Sequence, residues 1–422
     1  MVITIPRGLT RQLPRGLTRQ PRQKSVLRTA RFAIAAMFFI NGAVSGNWVA
    51  RIPAIQQKLA LSNSDFAAAL LGMPIGMLLV TPIAGWLIAR VGSRPIIKIA
   101  TLVYCLVLFL VALAPQQSSL AIALVLFGAI NGIACLAMNA QGLAIQQRYN
   151  RPLMASFHGM ASVGNLVGAA VGGVAASLGV APVPHLLGAA LLLGIVAILK
   201  SRRLLPSVVV SISQAPVFAF PQRSLVGLGI VAFCGLLAEG AMANWSANYL
   251  LHVLDTGPGL AAQGYAAFSL AMACGRFTGD RSTQYFGPVR MVCFGGTLAA
   301  IGLMLSLVVS QPIVAIFGFA CCGIGLSSIA PLVFSAAERT PGIAPGMGLA
   351  AVATIGYFGA CSSSLLGFAT DWLTLRGALG LVVVSSATIA VLAPTVKFCS
   401  KIEGDGVNFH PKIGSTNLET IR

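Results

Sequence analysis

Twelve apolar stretches, each of roughly 20 residues, follow one another along this chain and constrain its fold more than any motif does. They lie at 30–50, 65–89, 95–114, 118–146, 154–180, 182–200, 225–251, 260–280, 288–309, 312–337, 346–370 and 374–396. Each can cross the roughly 30 Å of a bilayer's hydrocarbon core. Backbone polar groups in lipid must be satisfied within their own segment, so each stretch is expected to be a helix. Only 9% of the 422 residues are charged, against about 25% in a soluble globular protein. The expected fold class is an all-α membrane protein with 12 transmembrane helices. Its 46 glycines suit that class, because small residues let membrane helices approach closely. Gly164, Gly168 and Gly172 have the four-residue spacing that such contact uses.

The spans fall into two matching sets. Asn41-Gly-Ala-Val-Ser-Gly-Asn47-Trp48-Val-Ala50 in span one is answered by Glu239-Gly-Ala-Met-Ala-Asn244-Trp245-Ser-Ala247 in span seven, with one gap. The two tryptophans are 197 positions apart. Phe127-Gly128 in span four matches Phe317-Gly318 in span ten, and 163–169 in span five resembles 355–360 in span eleven. The polar, basic stretch between spans six and seven contains Pro206, Pro216 and Pro221 and divides the chain. The expected organisation is a disordered basic tail over 1–29, a six-helix half over 30–200, a linker over 201–224, a second six-helix half over 225–396 and a tail over 397–422. Membrane proteins with repeated halves are most often transporters that rock one half against the other.

The net charge of +19 does not point to nucleic acid. With both termini cytoplasmic, 25 of the 28 Lys and Arg fall on the cytoplasmic side, the exceptions being Arg51, Lys58 and Arg376. That is the positive-inside bias, and it orients the chain. The tail carries Pro-Arg-Gly-Leu-Thr-Arg-Gln twice, at 6–12 and 14–20, in a context too polar to pack. Span one can serve as an uncleaved anchor. The nine cysteines read as small packing residues and the four scattered histidines form no metal motif. No nucleophile with a base and no phosphate loop is present, so no enzyme activity, metal or cofactor is expected.

After span two the chain reads Gly85-Trp-Leu-Ile-Ala89-Arg90-Val-Gly92-Ser93-Arg94-Pro95, and after span eight Gly275-Arg276-Phe-Thr-Gly279-Asp280-Arg281, then Gly287-Pro-Val-Arg290. Both resemble the G-x-L-A-D-R-x-G-R-K loop of the major facilitator superfamily, and the resemblance extends over about 30–396. It implies two pseudo-symmetric six-helix halves and a cytoplasmic gate, with Gly85, Arg90, Gly92, Arg94, Arg276, Asp280 and Arg281 as candidates. The loop aspartate of the family is replaced by Ala89 in the first copy and kept as Asp280 in the second. Arg276 and Asp280 are four apart and can pair along a helix.

A narrower resemblance rests on Trp48-Val-Ala-Arg51-Ile-Pro53, Ala137-Met-Asn139-Ala-Gln141-Gly142, Arg151-Pro-Leu-Met-Ala-Ser-Phe-His158-Gly159, Glu239 through Tyr249, and Gly275 through Asp280. Together these are similar to the YbjJ/MosC-like permeases, a branch near the fucose permeases. The resemblance implies a multi-pass permease of the bacterial inner membrane, with both termini cytoplasmic and a sugar- or polyol-like solute.

Intramembrane acids are costly and mark function. Of nine acids, Glu239 alone lies well inside a span. A carboxyl placed there can exchange a proton with water as a cavity opens, which proton coupling requires; the alternative is a structural bond between helices. Candidate cavity residues are Asn41, Asn47, Trp48, Asn131, Asn139, Gln141, Asn165, Asn244, Trp245, Asn248 and Tyr249. Their amides can hold hydroxyls and their aromatics can stack on a sugar face. Along one helix, Asn244 falls about 140° and Asn248 about 180° around from Glu239, so the three cannot share one target unless the helix breaks near Gly240. Asn41 and Glu239 are expected to face each other across the cavity.

Antiporters of the superfamily commonly carry G-x8-G-x3-G-P-x2-G-G in span five; here Ala169 replaces the proline and Ala155 the first glycine. The expected function is proton-coupled uptake of a small polar solute. Efflux by proton antiport, and a membrane sensor that moves nothing, are the alternatives. The expected partners are solute, protons and the lipid bilayer, without nucleic acid, for a protein acting as a monomer.

Overall fold

The computed structural model describes residues 19–149, 153–206, 225–340 and 347–396. The first half comprises α1 (Arg19–Val49), the short α2 (Ile52–Lys58), α3 (Asn63–Leu70), α4 (Gly72–Val91), α5 (Ser93–Leu113), α6 (Gln117–Tyr149), α7 (Met154–Ser177) and α8 (Pro182–Ser201). The second comprises α9 (Val226–Asn248), which runs into a π-helical turn over Tyr249–Val253, then α10 (Pro258–Phe286), α11 (Pro288–Val308), α12 (Pro312–Leu326), α13 (Ile329–Glu338) and α14 (Met347–Leu392).

Among the described residues, ten segments are long and apolar enough to cross a membrane. The last of these, Ala351–Val396, folds back at Thr374, whose φ of 50° interrupts the helix, and so supplies two spans. The 29-residue α10 is long enough to cross but carries Arg276, Asp280 and Arg281. The twelve expected spans are thereby accounted for. Span two is α3 followed by α4, and span ten is α12 followed by α13.

The duplication is visible in backbone angles. Gly92, between α4 and α5, has φ 86° and ψ 160°; Gly287, between α10 and α11, has φ 79° and ψ 158°. These turns close to a single residue at a positive φ that glycine adopts without strain. They also correct the expected loops. Gly85 and Arg90 lie within α4, and Arg276, Asp280 and Arg281 within α10, because each helix runs up to its glycine.

α1 begins at Arg19, so the tail expected over 1–29 is helical in its last third. Residues 1–18, with most of the duplicated heptapeptide, lie outside the described residues, as do 207–224 of the linker and 397–422.

Glycines set the tightest helix contacts. A Cβ on Gly42 would collide with the Ala161 carbonyl, and one on Gly46 with that of Asn165. From the other side, Gly164 and Gly168 meet the carbonyls of Phe39 and Ala43. The span-five spacing therefore packs α7 on α1.

Two faces can be distinguished: the linker face, where α8 ends and α9 begins, and the distal face opposite. The three cations at the distal face each meet a helix end. Arg51 Nη2 donates to the Val180 carbonyl just past α7 at 2.6 Å, Lys58 Nζ to the Ala112 and Ala114 carbonyls ending α5 at 3.0 and 3.3 Å, and Arg376 Nη2 to Ser310 Oγ past α11 at 2.9 Å. Cations are favoured at helix C-termini, which accounts for Arg51 and Lys58; Arg376 meets a serine side chain instead.

Candidate functional site

The centre of the molecule holds an ion pair. Glu239 lies midway along α9, in a nook formed by Ala232, Gly235, Leu236, Leu326, Ile329 and Phe334. Arg276 reaches it from α10: Nη2 is 3.4 Å from Glu239 Oε1, while Nη1 donates to Ser162 Oγ on α7 at 2.7 Å. Among the described residues this is the one salt bridge. Both side chains stay partly accessible, at 18% for Arg276 and 36% for Glu239. One guanidinium thus touches both halves.

This placement puts Arg276 inside the bundle, where a gate residue in a loop was expected. Arg276 is ten residues from the end of α10, about 15 Å inside it at 1.5 Å per residue. The Asp280 side chain lies outside the described residues. Arg281 is exposed, as is Arg90, whose guanidinium stacks over Trp86 at 5.3 Å. With Ala89 in place of an acid, an aromatic face is the partner Arg90 finds. Arg94 Nη2 caps the end of α8 through the Arg202 carbonyl at 2.8 Å.

A cleft of about 310 Å³ runs from the linker-side ends of α7, α10 and α13 to Arg276. Met154, Ala155, His158, Thr283, Ser327 and Ser328 are among its walls. His158 is exposed and meets the Phe38 ring edge-on at 5.2 Å. At the distal face the halves close on each other. Asn248 Nδ2 donates to Gln56 Oε1 at 2.6 Å, Phe66 meets Trp245 edge-on at 6.1 Å, and Gly367 abuts the Asn63 carbonyl.

Most expected cavity residues are placed otherwise. α9 continues without a break through Gly240, and its three polar groups diverge: Glu239 to Arg276, Asn244 to Ser363 Oγ at 3.2 Å, and Asn248 to Gln56. Trp48, Trp245 and Tyr249 are fully buried and offer no face to a solute. Trp48 packs on Phe127, Trp245 Nε1 donates to the Ser363 carbonyl at 2.8 Å, and the Tyr249 hydroxyl donates to the Ser306 carbonyl at 2.7 Å. Gln141 is buried between Ser93 and the Leu205 carbonyl near the linker, and Asn47 bonds its own helix at the Ala43 carbonyl. Asn41 does not meet Glu239: its Nδ2 donates to Asn131 Oδ1 at 2.9 Å within the first half. Asn139 and Asn165 each bury an Oδ1 with no partner.

Ser162, Gln56, Phe66 and Ser363 were not singled out from sequence. A serine in an apolar span carries no signal of its own, since its use depends on which helix it faces.

The sequence profile of the Major Facilitator Superfamily matches residues 33–364. The chain belongs to the major facilitator superfamily. Members of this superfamily are transporters, so the protein is a multi-pass membrane transporter and not an enzyme. An uncharacterized MFS-type transporter of Yersinia pestis is 33% identical over 362 residues, covering 85% of this chain and 94% of that protein. Membrane protein MosC of Rhizobium meliloti is 29% identical over 331 residues, covering 78% and 80%. The superfamily fold is shared with the nucleoside transporter NupG (TM-score 0.66, 13% identity, 88% of this chain and 99% of that one). It is shared too with the E. coli fucose:proton symporter FucP (TM-score 0.59, 15% identity, 87% and 98%).

Proposed function

We propose that this transporter takes up a small polyhydroxylated solute together with a proton, across a bacterial inner membrane, with its linker face cytoplasmic. The observation that carries the reading is the Arg276 guanidinium, held by Glu239 of one half and Ser162 of the other. A proton on Glu239 removes the charge that holds Arg276 in the second half. Protonation thereby changes a contact shared between the halves, which is what coupling to a rocking motion needs. The pair has a single 3.4 Å contact and partial water access, so it can open at a cost a transport cycle can meet.

The relatives agree with the class of solute. FucP is described as a fucose:proton symporter and NupG as a nucleoside transporter, and both solutes are rich in hydroxyls. The excess of Lys and Arg at the linker face supports a cytoplasmic linker face.

Reconstituted liposomes with an imposed proton gradient test the reading. Solute accumulation on the alkaline side is the expected result. Accumulation on the acidic side identifies antiport instead, and flux indifferent to the gradient contradicts coupling.

A further inference from the structure

The cleft that ends at Arg276 is lined by donors. Arg276, His158, Thr283, Ser327 and Ser328 supply its polar groups, and among the described residues no carboxylate lines it. Among the described residues, the one carboxylate that reaches Arg276 is Glu239, from the nook behind. Charge-assisted N–H···O bonds are usually about 2.7–2.9 Å long. At 3.4 Å, Glu239 is a loose counter-ion, and with Ser162 it is one of two partners of Arg276 among the described residues, which leaves several of the five guanidinium N–H groups for a second acceptor.

Charge balance then restricts the solute. With the cleft empty, Glu239 and Arg276 cancel. Once Glu239 is protonated, Arg276 is an uncompensated cation in a membrane span, which is costly. Serine and threonine hydroxyls solvate that charge without neutralising it. Among the described side chains the other titratable groups in range do not neutralise it either: Tyr265 on α10 and Cys322 on α12 lie near Glu239, and His158 on α7 lies near Arg276; the side chain of Asp280, four residues further along α10, is outside that set.

We infer that the solute is a polyhydroxylated carboxylate, whose carboxylate replaces Glu239 as the counter-ion of Arg276 when Glu239 takes up a proton. This rests on Glu239 being the proton carrier. The planar fork of arginine matches a carboxylate in two parallel bonds. The hydroxyls of Thr283 and Ser328 are available to the rest of the solute, and Ser327, whose hydroxyl donates to the Ile324 carbonyl at 2.7 Å, can still accept a hydrogen bond from it. One proton and one anion move together, so the loaded site and the empty site are both neutral.

The test uses the purified full chain in liposomes with four labelled probes: D-gluconate and D-galacturonate, and their neutral counterparts D-glucitol and D-galactose. The expected result is accumulation of at least one acid, driven by a pH gradient and unchanged by an imposed membrane potential. Glucitol and galactose stay at background. Arg276→Gln lowers acid uptake at least about 100-fold, and Arg276→Lys recovers part of it. Glu239→Gln still exchanges the acid across the membrane but no longer concentrates it. Proton-driven accumulation of a neutral probe with neither acid moving overturns this inference and leaves proton coupling standing. Acid flux indifferent to the pH gradient overturns proton coupling and leaves the solute class standing. Movement of none of the four overturns the inference and its basis together.

Discussion

At equivalent places in the two halves, Asn41 of α1 bonds the amide of Asn131, and Glu239 of α9 bonds the guanidinium of Arg276. Each is followed by a glycine at a helix contact, and each segment ends in a buried tryptophan. The surroundings differ. Gly42 faces the backbone of α7, while Gly240 faces the Ser363 side chain of α14. Trp48 packs within its own half on Phe127 and leaves its Nε1 unpartnered. Trp245 meets Phe66 of the other half and donates to a carbonyl. The first copy is locked into rigid packing. The second holds the one charge pair among the described residues and makes contacts across the two halves.

Substitutions that treat the two copies alike should therefore have unlike effects. Gly42→Ala forces a methyl into the Ala161 carbonyl, which belongs to a packed helix and cannot move aside. A loss of about 3 kcal/mol in detergent unfolding is expected, at the upper end for overpacking. Gly240→Ala meets the Oγ and Cβ of Ser363 and no carbonyl within 3 Å, so a smaller loss, about 1–2 kcal/mol, is expected. Equal losses would remove the contrast.

Next in size is Arg276→Ala. Breaking a fully buried pair costs about 3–5 kcal/mol, and this pair is partly hydrated, so about 2 kcal/mol is expected. Transport should fall to background, measured as solute uptake by liposomes. Retained proton-driven uptake would place coupling elsewhere.

The tryptophans give a smaller difference. Trp245→Phe loses a hydrogen bond that Trp48→Phe does not, so it should be the more destabilising by about 1 kcal/mol. Thermal midpoints of the two variants compare them directly. Smallest is Asn41→Ala, which removes an interhelical amide bond worth about 0.6 kcal/mol. Proton coupling should survive that change.

The fold was largely legible in sequence because bilayer thickness sets span length and lone glycines mark the turns. Helical periodicity sets Glu239 on the opposite side of α9 from Asn244 and Asn248, and because α9 is unbroken the two asparagines point away from Arg276. Arg276 was harder to place. Its neighbours Asp280 and Arg281 make the end of α10 look like a loop, yet the helix continues to Phe286. Trp48, Trp245 and Tyr249 suit a sugar site by type, but burial depends on helix rotation, which composition does not encode. Gln141 was misplaced for the same reason, its partners being a serine of α5 and a carbonyl beyond α8.

The central claim is that Glu239 carries the coupled proton. It is tested most directly with Glu239→Gln in liposomes, by comparing solute exchange at equal pH on both sides with accumulation under an imposed proton gradient. Exchange is expected to persist at a rate within about tenfold of wild type while accumulation is lost, because glutamine retains shape and polarity but cannot take up a proton. Accumulation at the wild-type level in this variant would contradict it.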